Sequence, residues 1–144
     1  MPSNNGRLCN LSHCTYLCQY HMVWVTKYRD KTLTDPYIKQ EMKRIIRTIA
    51  HWKGFILIQW HIGAEHIHLY LIIPPKYSVS YAACVLKSKT SGWIKKKTKK
   101  FPKGSLWCRG YFISTVGIDE EQIKNYIKNQ DAHRVDSNQQ ILFK

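Results

Sequence analysis

Acidic residues are scarce in this chain of 144 residues. Only 9 Asp and Glu stand against 23 Lys and Arg, for a formal net charge of +14. Such a balance argues against a cationic partner. It favours a polyanion, held by direct attraction and counterion release, with nucleic acid as the first candidate. Long apolar runs are also missing. No uninterrupted stretch reaches the ~20 residues of a membrane-spanning helix. No long basic amphipathic helix with a wide apolar face suits an anionic bilayer surface. No membrane partner is therefore expected. Residues Met1-Pro2-Ser3-Asn4-Asn5-Gly6-Arg7 lack the basic-then-apolar order of a secretory leader, and a cytoplasmic location is the expectation. Cysteine is present in odd number, 5, at scattered positions, which excludes a secreted disulfide framework. Cys9, Cys14 and Cys18 with His13 match none of the common CxxC zinc pairings, so free thiols are expected.

What is there suits one domain. At 44% hydrophobic residues the chain is not a disordered tail. The patterning predicts a core from about residue 15 to 130 and a mostly polar tail over 131–144. Thr15 to Thr26 alternates aromatic and β-branched residues and reads as a first strand. Asp35-Pro36 supplies an N-cap and a first helical proline. Ile38, Met42, Ile45, Ile46 and Ile49 follow at helical spacing until Gly54. Phe55 to Ile62, a tight turn at Gly63-Ala64, and Glu65 to Ile73 read as a hairpin closed by Pro74-Pro75. Ser78 opens a second helix that runs into a lysine-dense stretch and ends by Pro102 and Gly104. Tyr111 to Val116 reads as a fourth strand and Gly117 as a break. Asp119 and Gln122 form a capping box for a last helix through about Gln130. The order β-α-β-β-α-β is the split βαβ, ferredoxin-like α+β pattern, an antiparallel sheet with two helices on one face.

His66-Ile67-His68 is the most informative tripeptide. On a strand, residues two apart share a face and lie roughly 6.6 Å apart along the chain. Two imidazoles so placed can bind one divalent ion, while Ile67, Leu69, Leu71 and Ile73 turn to a core. In the last helix Tyr126 and Gln130 are four apart and share a face. Lys87, Lys89, Lys95, Lys96, Lys97, Lys99, Lys100 and Lys103 cluster around Trp93 and Phe101. Charge for phosphates and rings for unpaired bases suit single-stranded or hairpin DNA.

Three blocks together resemble one family. They are Tyr20-His21-Met22-Val23-Trp24-Val25-Thr26-Lys27-Tyr28-Arg29, then Glu65-His66-Ile67-His68-Leu69, then Arg109-Gly110-Tyr111-Phe112-Ile113-Ser114-Thr115-Val116-Gly117 followed by Tyr126 and Gln130. The pattern is similar to that of the single-tyrosine HUH transposases of small insertion sequences, the TnpA-like enzymes. The resemblance implies a transposase that cleaves and rejoins single-stranded DNA at element ends through a 5′-phosphotyrosine. It implies Tyr126 as the nucleophile and His66, His68 and Gln130 as ligands of one Mg²⁺ or Mn²⁺. Glu65 could hydrogen-bond the first ligand, although strand alternation points it away. Arg29 and the lysine cluster would contact DNA. The resemblance also implies a homodimer and a mobile tyrosine helix, hinged at Gly117, that docks on the histidine strand of the partner; folding back in cis stays open. One departure concerns the basic helix. Leu86-Lys87-Ser88-Lys89-Thr90-Ser91-Gly92-Trp93 keeps the lysine and a serine of the family's stretch and lacks its arginine.

Two other readings compete. One is a domesticated nuclease of repeated palindromic sequences. The other is a non-catalytic nucleic-acid-binding ferredoxin-like module, whose mark would be exposed aromatics where His66 and His68 stand.

Overall fold

A computed structural model describes residues 8–98, 106–115 and 120–129. Among the described residues six strands and three α-helices follow one another as β1 (Cys9–Leu11), β2 (Cys14–Tyr16), β3 (Gln19–Val25), α1 (Pro36–Lys53), β4 (Ile56–Ile62), β5 (His66–Ile72), α2 (Val79–Thr98), β6 (Phe112–Ser114) and α3 (Glu120–Asn129), with short 3-10 helices at Lys27–Arg29 and Thr32–Thr34. The main sheet is antiparallel with strand order β4-β5-β3-β6. This is the expected ferredoxin-like α+β arrangement.

The local signals explain the boundaries. Asp35 caps α1 by accepting from the Tyr37 N–H at 2.9 Å, and Gly54 ends the helix in the left-handed region at φ 76°. The Ser78 hydroxyl accepts from the Tyr81 N–H at 3.0 Å and starts α2. The expected first strand is corrected in one respect. Thr15 and Tyr16 pair instead with Asn10 and Cys9 in a separate two-stranded hairpin, β1–β2, and the main-sheet strand begins at Gln19. Leu17 and Cys18 lie between the two, and the Cys18 carbonyl accepts from Ile73 N–H at 2.9 Å. Val116, Gly117 and Asp119 lie outside the described residues, as does the tail from 130.

Strand alternation sorts the sheet into two faces. Met22, Trp24, Ile67, Leu69 and Leu71 are fully buried against α1 and α2, with Ile45, Ile46, Ile49, Leu86 and Ile94 from the helices. At about 25 cal/mol per Å² of apolar area, this layer is the main stabilising term. The opposite face carries His66, His68 and Tyr70 and is covered in part by α3. Tyr126 packs there in a second cluster with Val23 and Val25, flanked by Phe112 and Ile127.

Candidate active site

The pairing register lays out that second face as a grid. Antiparallel partners directly opposite one another share a face. Gln59 pairs with Tyr70 and Tyr70 with His21, which pairs with Ser114. The next row is His61, His68, Val23 and Phe112. In the third row His66 lies beside Val25, and on its other side the Gly63 N–H donates to the His66 carbonyl at 2.9 Å. The turn therefore falls at Ala64-Glu65, one residue later than expected, and this pairs His61 with His68 rather than with His66.

Each histidine has a distinct environment. The His66 Nδ1 faces the Glu65 carboxylate at 3.2 Å, which leaves Nε2 for another partner. Glu65 precedes the first residue of β5, so the alternation that would turn it away does not bind it. The His66 ring lies over Gly63: a Cβ there would come within 2.5 Å of the His66 Cε1. Burial lowers the pKa of His66, opposed by the Glu65 hydrogen bond. Burial, with His21, His66 and His61 nearby, lowers that of His68 to about 4. Burial thus favours the neutral form of both imidazoles, the form with a lone pair available. The His68 Nε2 is buried with no hydrogen-bond partner among the described residues. Two neutral imidazoles on one face, one held by a carboxylate and one with an orphaned nitrogen, fit a divalent ion. Among the described residues no three His, Cys, Asp or Glu side chains converge on one point. Gln130, expected in that role, lies outside the described residues.

Tyr126 is placed on the same face. It is 2% exposed and packs on Val23 and Val25, the cross-strand partners of His68 and His66. Burial pushes its phenol well above the ordinary value. The Phe112 ring lies 6.1 Å away, centre to centre. Tyr126 of α3 thus packs on the sheet face that carries the histidines, within one chain.

The basic residues fall into different positions. Lys87 is half-buried and points inward, donating to the carbonyls of Cys108 at 2.8 Å and Gly110 at 2.7 Å. Thr90 and Ser91 face the same segment: Trp107 Nε1 donates to the Thr90 hydroxyl at 2.9 Å, and Leu106 N–H to the Ser91 hydroxyl at 2.9 Å. Lys87, expected to contact DNA, is here part of a clasp, with Thr90 and Ser91, on the chain leading into β6. Lys97 pairs with Glu41 at 2.9 Å. Trp93 stacks edge-on with Trp52, 5.8 Å between centres. Lys89 and Lys96 are exposed and, seven apart on α2, share a face; Lys95 is half-buried. Arg29 is half-buried in a turn where Tyr28 and Arg29 both have positive φ, 60° and 50°. Lys99, Lys100 and Lys103 lie outside the described residues. His21, His61 and Gln59 were not singled out in the sequence. Pairing brings them onto the site, and only the position of the hairpin turn could have disclosed the latter two.

The site is thus a small antiparallel sheet backed by two helices, with the Tyr126 helix across its histidine face. The family model described as "Transposase IS200 like" matches residues 14–130. The chain is 34% identical over 125 residues to the transposase for insertion sequence element IS200 of Salmonella typhimurium, spanning 84% of this chain and 82% of that one. It is 29% identical over 120 residues to the ISDra2 transposase TnpA of Deinococcus radiodurans, spanning 80% and 85%. A crystal structure of a Deinococcus radiodurans R1 protein described as a transposase superposes with a TM-score of 0.78 at 29% identity, covering 86% of this chain and 98% of that one. A REP-associated tyrosine transposase bound to a REP hairpin shares the fold, with a TM-score of 0.52 at 12% identity over 82% of this chain and 68% of that one. The chain belongs to the IS200-like transposase family.

Proposed function

We propose that this transposase cleaves and rejoins single-stranded DNA at the ends of an insertion sequence, with Tyr126 as the nucleophile. The observation that carries the reading is the packing of Tyr126 on Val23 and Val25, whose strand partners are His68 and His66. The Tyr126 oxygen attacks the scissile phosphorus, a P–O bond to the phenol forms, and the bond to the 3′-oxygen breaks. The products are a 5′-phosphotyrosine and a free 3′-OH. The phosphodiester energy is kept in the new bond, so a second 3′-OH can attack it and restore the tyrosine without ATP.

The phenol must lose its proton in this step, and burial opposes that loss. The packed position of Tyr126 is accordingly a resting one, and the hydroxyl reacts once DNA meets it. His66 and His68, with Gln130, would hold one Mg²⁺ or Mn²⁺, which supplies charge stabilisation at the scissile phosphate when bound. Glu65 holds the His66 ring through Nδ1 and leaves Nε2 for another partner. The substrate is single-stranded or hairpin DNA, drawn in by the net charge of +14. Two element ends must be handled and each chain has one Tyr126, so the working form is a homodimer.

The test is covalent capture. Hairpin oligonucleotides taken from the flanks of the gene are incubated with the protein and Mn²⁺, and a detergent-resistant protein–DNA adduct is expected. Tyr126→Phe should form no adduct and keep hairpin binding within about two-fold, because only the phenol oxygen is lost. Cleavage by the Phe variant at a rate near wild type would remove Tyr126 from the role.

A further inference from the structure

The upper two rows of the grid enclose a cavity of about 90 Å³, lined by His21, Gln59, Trp60, His61, His68 and Tyr70. It lies on the β4 side of His68, while Tyr126 packs on the β3 side. We propose that this cavity receives one unpaired nucleobase of the DNA strand, from a nucleotide adjoining the scissile phosphate. The inference rests on the reading of the histidine face as a DNA-cleaving site, and deepens it by assigning a base-reading subsite.

Three features fit a base. One wall is planar and aromatic: His21 and Tyr70 stack at 4.2 Å between centres, with an angle of 8° between planes. A flat ring entering the cavity meets rings and not aliphatic branches. The polar groups are of the kind that read base edges. Gln59 presents a side-chain amide, a donor and acceptor pair in one plane, on an exposed strand position. His61, also exposed, presents an imidazole opposite His68. Finally, the His21 Nδ1 is buried with no hydrogen-bond partner among the described residues, an unmet polar atom on a residue that lines the cavity. Tyr70, by contrast, is satisfied: its hydroxyl donates to the Gln19 side chain at 2.6 Å, which fixes the stacked pair. The volume suits a single ring. An enclosed cavity of ~150 Å³ takes benzene, and this smaller one is open on one side, so a pyrimidine fits better than a purine.

Two measurements test the inference and separate it from the cleavage reading. In the first, the metal-free protein is titrated with each of the four deoxynucleoside monophosphates while the histidine ring signals are followed by NMR. Pyrimidine nucleotides should shift His21 and His61, and Gln59→Ala should weaken that binding about five-fold, the effect of losing one hydrogen bond. Absence of any shift at millimolar nucleotide, or equal affinity in Gln59→Ala, overturns the inference. In the second, hairpin DNA with a randomised flank is captured covalently in Mn²⁺ and sequenced. Wild type should enrich pyrimidines at one position beside the cut, and Gln59→Ala should flatten that position alone while cutting continues. A flat wild-type profile overturns the base-reading subsite. No adduct from any sequence, with the nucleotide shifts intact, overturns the cleavage reading and leaves the cavity as a mononucleotide site.

Discussion

Gly63 sets the attitude of His66. The ring lies where a side chain at position 63 would go, with 2.5 Å from a built Cβ to Cε1 and 2.8 Å to Nδ1. Gly63→Ala must therefore turn the ring away and break its contact with Glu65, while the strand itself has room to stay. We expect this variant to lose about 10–100-fold in cleavage rate, the scale of a 1 Å misplacement, with a stability change under ~1 kcal/mol. A cleavage assay beside a thermal melt decides it; wild-type rate would mean that the ring orientation is immaterial. The histidine pair was legible in the sequence because strand alternation fixes which residues share a face. The glycine read only as a turn former, because its function depends on a ring across the strand. Glu65, offered as a partner of His66 against the strand alternation, does meet its Nδ1. It follows the strand rule only inside the strand, and β5 starts one residue later.

At the scale of elements, α2 holds the segment that leads into β6. Trp107 Nε1 donates to the Lys87 carbonyl at 3.1 Å as well as to Thr90, and the Lys87 ammonium closes the clasp on Cys108 and Gly110. On its other side the same segment joins β3, with Cys108 N–H to the Val25 carbonyl at 2.8 Å. Lys87→Met leaves two carbonyls without their donor and should cost about 1–3 kcal/mol in a urea melt. The pH dependence has a defined sign. Burial lowers the Lys87 pKa from 10.5 to about 8, so between those values the unfolded chain binds more protons than the folded one. This group's contribution is full above 10.5 and is lost as pH falls through about 8. The gap between wild type and Lys87→Met should thus widen from about pH 8 to about pH 10. A gap that narrows would contradict the buried ammonium. Helix starts at Asp35 and Ser78 and the stop at Gly54 were legible, because each is a local hydrogen bond or backbone preference. The clasp was not, since a lysine reads the same whether it meets phosphate or a carbonyl from twenty residues on. The β1–β2 hairpin was missed because Thr15 to Thr26 continues one alternating pattern across a break at Leu17 and Cys18.

For the whole molecule, charge decides how DNA is met. Lys89 and Lys96 are exposed on one face of α2. Replacing either with Ala should lower the magnitude of the log affinity against log salt slope on single-stranded DNA by about 0.7, one released counterion each. Lys87→Met should leave the slope unchanged. An equal effect from all three would place the DNA track elsewhere. Assembly is tested by mixing a His66→Ala chain with a Tyr126→Phe chain, each inactive alone. If the tyrosine helix serves the partner's histidines, mixed dimers recover one intact site and up to about half the activity of wild-type dimers. Mixed dimers without cleavage would mean that each site is built within one chain, as the packing of Tyr126 on Val23 and Val25 depicts for a single chain.

The strand order also imposes a sequence of events in time. β3 is among the first elements to leave the ribosome, yet its two neighbours arrive much later: Val25 waits for His66, and His21 waits for Ser114. Such distant pairings close slowly. A nascent chain can therefore complete the histidine strands and their helical backing before β6 and the tyrosine helix exist. The Tyr126 hydroxyl, the nucleophile proposed above, follows them, so a chain still being made, or one cut short before residue 112, carries the histidine face without the residue proposed to break DNA.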